Sequence, residues 1–324
     1  MNKLLLRFVL FFIPPVLLAY PVDILISNSI KKQNNLNNGE IGIWNDIYDS
    51  QLNSECLIYG SSRAWIHFDP AIIEEKTGFS AYNLGLDGQI FILQKFRHDE
   101  ALKYNSKPKI IIHSLDIFTL ENPEGLFNAS QLYPYFLWNR DMKNGVELYN
   151  EFTFFDLYIP LYRYIGDSKS FINCVSYYLK SSDEEPARIK GYKGNDMSWN
   201  NDLEKARTKK GKYQAYVDST ALELYCKWIE ECKEKNISIV MVYSPEYVAG
   251  QQFIENREKV IDVYKEISNR YGILFLDYSN DSISYNRDYF YNSTHLNKTG
   301  SQIFTEKFVD DWSESPNSEL KQKN

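Results

Sequence analysis

Short apolar runs rich in β-branched and aromatic residues alternate along this chain with stretches of helical spacing. The runs fall at 56–59, 80–83, 109–113, 237–245 and 273–279. Between them, helices are predicted over 70–76, 89–104, about 219–235 and about 252–270, with a last one running from just after His295 to about Trp312. Strands separated by helices of ten or more residues call for right-handed crossovers and a parallel sheet covered on both faces. The pattern predicts a doubly wound α/β domain over 46–315.

Two regions break the rhythm. From Leu4 to Ile26 the chain is apolar except for Arg7 and Asp23, and about 20 such residues are what a hydrocarbon core of about 30 Å requires. The expectation is an uncleaved membrane anchor at 1–27, since Ala19 with bulky Leu17 before it is a poor cleavage site. A short basic N-terminus inside would place the bulk on the extracytoplasmic side. Residues 28–45, rich in Asn and Lys, read as a polar tether, and 316–324 as a disordered tail. The second break, about 118–217, joins two aromatic stretches to a charged excursion, 180–212, and reads as one large insertion carried on the sheet.

Composition narrows the function classes. The 324 residues are 44% hydrophobic and 24% charged, which suits a globular chain able to bury a core. A formal net charge of -7 and the lack of a long basic tract argue against nucleic acid as a partner. Aromatic residues reach 15%, a content that suits an ordinary core, a wide apolar cleft or a membrane surface. Cys56, Cys174, Cys226 and Cys232 show no metal-ligand spacing, and no cofactor motif is present. The spacing leaves disulfide pairing open.

The chemistry sits at strand ends. LIYGSSRAW, 57–65, stops an apolar run at a glycine followed by two serines and an arginine, and open α/β sheets place ligands at such elbows. YNLGLDGQ ends the second run, where Gly85 and Gly88 let backbone approach a reacting group and Asn83 offers an amide. IIIHSLD ends the third with Asp116. YNSTHLN brings His295 to the front of the last helix. Each has a plain structural alternative: Ser61 and Ser62 as helix caps, His113 as a structural histidine, His67 and His98 as solvated or satisfied surface groups, Asp87 and Asp116 as loop caps, and 207–212 as a solvated basic face.

This set, in this order, resembles the SGNH (GDSL-like) hydrolase superfamily, and within it the membrane-anchored bacterial branch related to the D-alanine transfer protein of teichoic acid assembly and to alginate O-acetyltransferase-type proteins. The likeness covers 54–116 and 237–312. It implies a flavodoxin-like sheet with Ser62 as nucleophile, His295 as base and the Gly88 N–H in an oxyanion hole. Two positions depart from the family pattern. Leu115 stands where the family has its oxyanion-hole asparagine, for which Asn83 is a substitute, and Asn292 stands where the family has the aspartate of the triad, for which Asp288 or Asp277 is an alternative. Arg63 beside the nucleophile suits a carboxylate or phosphate on an anionic polymer.

Two functions follow from the resemblance. One is a serine esterase or O-acyltransferase anchored in the cytoplasmic membrane, acting outside it on acyl groups of a cell-envelope polysaccharide. The other is a catalytically degenerate scaffold that binds an envelope polymer or a membrane-bound acyltransferase. Whether the chain is an enzyme is left open between them.

Overall fold

The structure is a computed structural model and describes residues 3–122, 125–147, 149, 151–179, 186–209, 211–316 and 320, without the side chains of 3–6, 8–10, 12, 14–16 and 209. In chain order, α1 (Lys3–Lys31) and α2 (Glu40–Tyr48) lead to β1 (Cys56–Tyr59), α3 (Ser62–His67), α4 (Pro70–Thr77), β2 (Ala81–Asn83), α5 (Phe91–Tyr104) and β3 (Ile110–Ser114). Then come α6 (Arg140–Val146), α7 (Phe154–Tyr158), α8 (Ser168–Leu179), α9 (Asp202–Lys209), β4 (Tyr213–Gln214) and α10 (Ser219–Glu234). The chain ends with β5 (Ser238–Tyr243), α11 (Val248–Gln251), β6 (Ile254–Glu255), α12 (Arg257–Tyr271), β7 (Leu274–Asp277) and α13 (Lys298–Glu314). Two units form: Met1–Asn45 with Pro123–Ala187, and Asp46–Asn122 with Arg188–Asn324.

The second unit holds a parallel sheet in the order β2-β1-β3-β5-β7. This is the flavodoxin-like doubly wound order, whose direction of winding reverses between β1 and β3. Both of those strands are buried along their whole length, as a sheet covered on two faces requires. Ile58, Ile110 and Ile112 face a layer with Phe68, Phe304, Phe308 and Trp312 from the α3 end and α13. On the opposite face Phe91 of α5 meets Tyr225 and Trp228 of α10 at ring distances of 4.7 and 5.3 Å. His113 sits in that layer, accepting from Tyr225 Oη at 2.8 Å and donating to Gln94 Oε1 at 2.9 Å, and burial pushes it down to about 3. Local signals set the element ends: in FDP, Asp69 caps α4 at the Ala71 N–H with Pro70 in the first turn, and Gly78 closes it in the left-handed region.

The first unit corrects the expected tether. Residues 28–45 finish α1 and enter α2, where Ile41, Ile43 and Trp44 are buried and the Trp44 indole donates to Gln131 Oε1 at 3.0 Å. Asp23, the acid of the apolar run, is buried too: it accepts from Ser27 Oγ at 3.0 Å, from the Leu161 N–H at 2.6 Å and from the Arg163 guanidinium. The two aromatic stretches of the insertion, helical by their spacing, form only short elements. Ile159 adopts φ -98° and ψ 119° in front of Pro160, which ends α7, and Tyr133–Tyr135 and Tyr162–Tyr164 are single 3₁₀ turns. Among the described residues no helix is long and apolar enough to cross a membrane; many side chains of the expected anchor lie outside those residues, as does most of the expected tail.

The expected insertion is also divided between the units. Its last part, from Arg188, belongs with the sheet because its backbone pairs there: the Asn83 N–H donates to Lys190 O at 2.9 Å. Gly191 makes that approach feasible, with φ +78° and a position where a Cβ would lie 1.7 Å from Asn83 O.

Candidate active site

The elbow after β1 depends on Gly60. Its φ is +143°, and a Cβ there would lie 2.5 Å from Ser114 O, so no other residue lets the chain turn against the end of β3. The two serines that follow divide their tasks. Ser61 is buried and caps α3, accepting from the Arg63 N–H at 3.3 Å and donating to the Asp116 carboxylate. Ser62 is half-buried, and its Oγ lies 2.8 Å from His295 Nε2.

His295 is held by the loop before α13. Asn292 Oδ1 accepts the backbone N–H groups of Thr294 at 3.0 Å and His295 at 2.8 Å, and lies 3.0 Å from His295 Nδ1. Two backbone donors fix which way the amide points, so Nδ1 carries the proton and the Nε2 lone pair faces the Ser62 hydroxyl. Thr294 Oγ1 also lies 3.1 Å from Nδ1. Tyr291 stacks on the imidazole at 5.4 Å with the rings 4° from parallel. Beneath, His67 Nε2 accepts the Leu296 N–H at 3.0 Å while Nδ1 donates to Ser244 Oγ at 2.8 Å, which ties α3 to the histidine loop.

Neither alternative acid reaches the imidazole. Asp277 accepts the Ser279 N–H at 2.9 Å and the Ser279 hydroxyl, and Asp288 lies exposed in its own turn, its N–H on Asn286 Oδ1 at 3.1 Å. Burial first, then the nearby Arg63 charge, lowers His295 to about 3, opposed by Asp202. Water at the open edge of this half-buried ring moderates that depression.

Arg63, expected to meet an anionic substrate, is committed to partners within the protein. It is 2% exposed, lies 3.1 Å from Asp116 Oδ1 and 3.2 Å from Glu246 Oε1, donates to Ser244 O, and stacks over the Tyr243 ring at 4.6 Å. Burial works against its charge, but Glu246 and Asp116 outweigh burial and hold it protonated. Burial raises Asp116 in turn, against the pull of Arg63 and Ser61. Asn83 is likewise structural: its amide donates to Ala64 O at 2.8 Å and Phe68 O at 2.9 Å, and its Oδ1 accepts the Gly85 N–H at 3.0 Å. Gly88 is exposed in a turn closed by the Gln89 N–H on Leu86 O at 3.3 Å, outside the cleft lining. His67 and His98 are buried rather than at the surface.

A cleft of about 330 Å³ opens beside Ser62 and His295. Ile117 and Phe118 follow β3, Leu203 and Ala206 come from α9, and Phe253 and Ile254 come from the turn into β6. The charged excursion therefore supplies a wall of the site. Glu246 and Thr294 escaped the sequence reading, yet Glu246 in YSPEY follows β5 directly, at the carboxyl end of a strand where such sheets gather their sites. Among the described residues no group of acidic, histidine or cysteine side chains is arranged to hold a metal ion.

No family model matches the chain, and no curated protein matches it. Among solved structures it is similar to an acetyl xylan esterase at 10% identity and a TM-score of 0.40, over 79% of this chain and 98% of that one. It is also similar to a Bacteroides fragilis protein assigned as an acylhydrolase, at 12% identity and a TM-score of 0.33, over 79% of this chain and 86% of the other.

Proposed function

We propose that the protein is a serine-dependent acyl hydrolase or acyltransferase, working on acyl esters of a cell-envelope polysaccharide from an extracytoplasmic position at the membrane. The observation that carries the catalytic reading is the Ser62–His295–Asn292 relay, with 2.8 Å and 3.0 Å between successive partners. In it Ser62 Oγ forms a bond to the ester carbonyl carbon as His295 Nε2 takes the hydroxyl proton, and the carbonyl π pair moves to oxygen. The Ser62 backbone N–H, at the first position of α3 where no intrahelical acceptor exists, donates to that oxyanion. Collapse expels the alcohol oxygen, which leaves with the proton from Nε2 and an acyl-serine behind. Water as the second nucleophile makes a hydrolase; a sugar hydroxyl makes a transferase.

The location rests on the apolar run at 4–26, and the polymer on the family resemblance of the elbow and histidine motifs. A second reading, a scaffold for an envelope polymer or a membrane-bound acyltransferase, is favoured by one observation: Nδ1 faces an uncharged amide, which gives an imidazolium no counter-charge. A fluorophosphonate probe separates the two. Labelling that disappears in Ser62→Ala and falls in His295→Ala supports the enzyme; no labelling of the wild-type protein supports the scaffold.

A further inference from the structure

We infer that the acyl group taken up by Ser62 is a hydrocarbon chain of several carbons rather than acetyl. This rests on the acyl-serine reading above. The apolar walls beside Ser62 Oγ are Ile117, Phe118, Leu203, Ala206, Phe253 and Ile254, drawn from three separate segments. The charged groups that touch the cleft have partners of their own: Arg63 binds Asp116 and Glu246, and the exposed Asp202 accepts from Asn200 Nδ2 at 2.6 Å and lies 3.6 Å from Lys205 Nζ; the Tyr213 hydroxyl donates to Glu121 at 2.5 Å. A sugar ring in this space would strip water from its hydroxyls and find few open partners, which is costly, whereas a hydrocarbon chain loses nothing by leaving water.

Size supports the same assignment. At ~30 Å³ for a water-sized group, a cleft of 330 Å³ holds roughly ten such groups, enough for a carbonyl and a chain of about six to eight carbons. The chain belongs on the acyl side because the acyl group stays bonded to Ser62 through the intermediate, while the alcohol must leave and an acceptor enter. Polymer binding then falls outside this cleft.

The experiment measures kcat/KM of the full chain on p-nitrophenyl esters from acetate to dodecanoate, with ethyl and octyl fluorophosphonates as labelling reagents. The expected result is a rise of about fourfold per added methylene up to about eight carbons, and faster Ser62 labelling by the octyl reagent. Ala206→Trp, at a half-exposed position on α9, should lower the octanoate-to-acetate ratio at least tenfold, and Ala206→Leu should lower it less. Ser62-dependent turnover that is fastest on acetate, a ratio unmoved by both Ala206 variants, or a rise with alcohol length in alkyl acetates instead would each overturn the inference while sparing the acyl-serine reading. Absence of turnover and of labelling across both series would overturn both.

Discussion

Asn292 Oδ1 stands 3.0 Å from His295 Nδ1, in the position of the acid of a serine triad, and two backbone N–H groups hold it there. The geometry of a triad is thus complete while its negative charge is missing. An aspartate at 292 would accept the same three donors and add the charge that stabilises the imidazolium. Asn292→Asp is therefore expected to raise ester hydrolysis by tenfold or more, within the ~10⁴ that the reverse change costs a serine protease. It should also raise the His295 pKa, moving the acid limb of kcat/KM to higher pH. An unchanged rate and an unchanged limb would mean that proton transfer to His295 does not limit the reaction.

Arg63 gives a prediction that separates its observed place from the expected one. A substrate-binding arginine would affect KM and leave the fold intact. Here the guanidinium pairs with two buried carboxylates, so Arg63→Met leaves Asp116 with the Ser61 hydroxyl but no cation, and Glu246 with Tyr243 and only the more distant Arg257. Breaking a buried pair on one side costs about 3–5 kcal/mol. The urea midpoint should drop accordingly, and Arg63→Met with Asp116→Asn should recover part of the loss. A midpoint equal to wild type would refute the structural role.

What was legible in the chain, and what was not, divides by the range of the forces involved. β1, β3 and β5 are short apolar runs bounded by turns, and period and length alone placed them. Ser62 and His295 stood out because an elbow and a loop before a helix are local patterns at strand ends. The GSS doublet did not say which hydroxyl would cap α3, since that depends on Asp116, 55 residues away from Ser61. Arg63 reads as an exposed cation beside a nucleophile until Glu246 arrives from beyond β5. Residues 28–45 look like a polar tether because their partners, Gln131 among them, lie in the aromatic region. Where the charged excursion joins the sheet edge was not legible, because that hold is made by backbone, which leaves no side-chain pattern.

The histidines predict acid sensitivity. All four are held neutral: His98, His113 and His295 are lowered to about 3, and His67 well below its usual value, in each case by burial first. In the unfolded chain they bind protons below about 6.5, so between that pH and about 3 the unfolded state holds more protons. Stability is then full above about 6.5 and is lost as the pH falls. The three fully enclosed rings, at about 1.4 kcal/mol per pH unit each, set an upper slope of about 4 kcal/mol per unit. Asp116, raised by burial, opposes this as it takes up its own proton in the folded state. Urea midpoints at pH 7.5 and 5 check it: a strong drop is expected, and equal midpoints would contradict neutral burial.

The proposed membrane position predicts where α8 lies. Phe171, Ile172, Val175, Tyr178 and Leu179 are exposed, while Ser170 and Cys174 on the other side are buried. At about 100° per residue those five fall within one arc of about 120°, an apolar face that water would penalise and a lipid interface would accept. The α1 helix in the same unit exposes Leu17, Leu18, Val22 and Leu25, and its acid, Asp23, is already neutralised by Arg163. Val175→Cys in the full chain should then react with a water-soluble maleimide in detergent-free proteoliposomes at least tenfold more slowly than Lys265→Cys, which sits on the exposed side of α12 in the sheet unit. Equal rates at the two positions would place the α8 face in water and remove it from the membrane reading, because an exposed apolar helix face left in solvent has no lipid partner to slow the reagent.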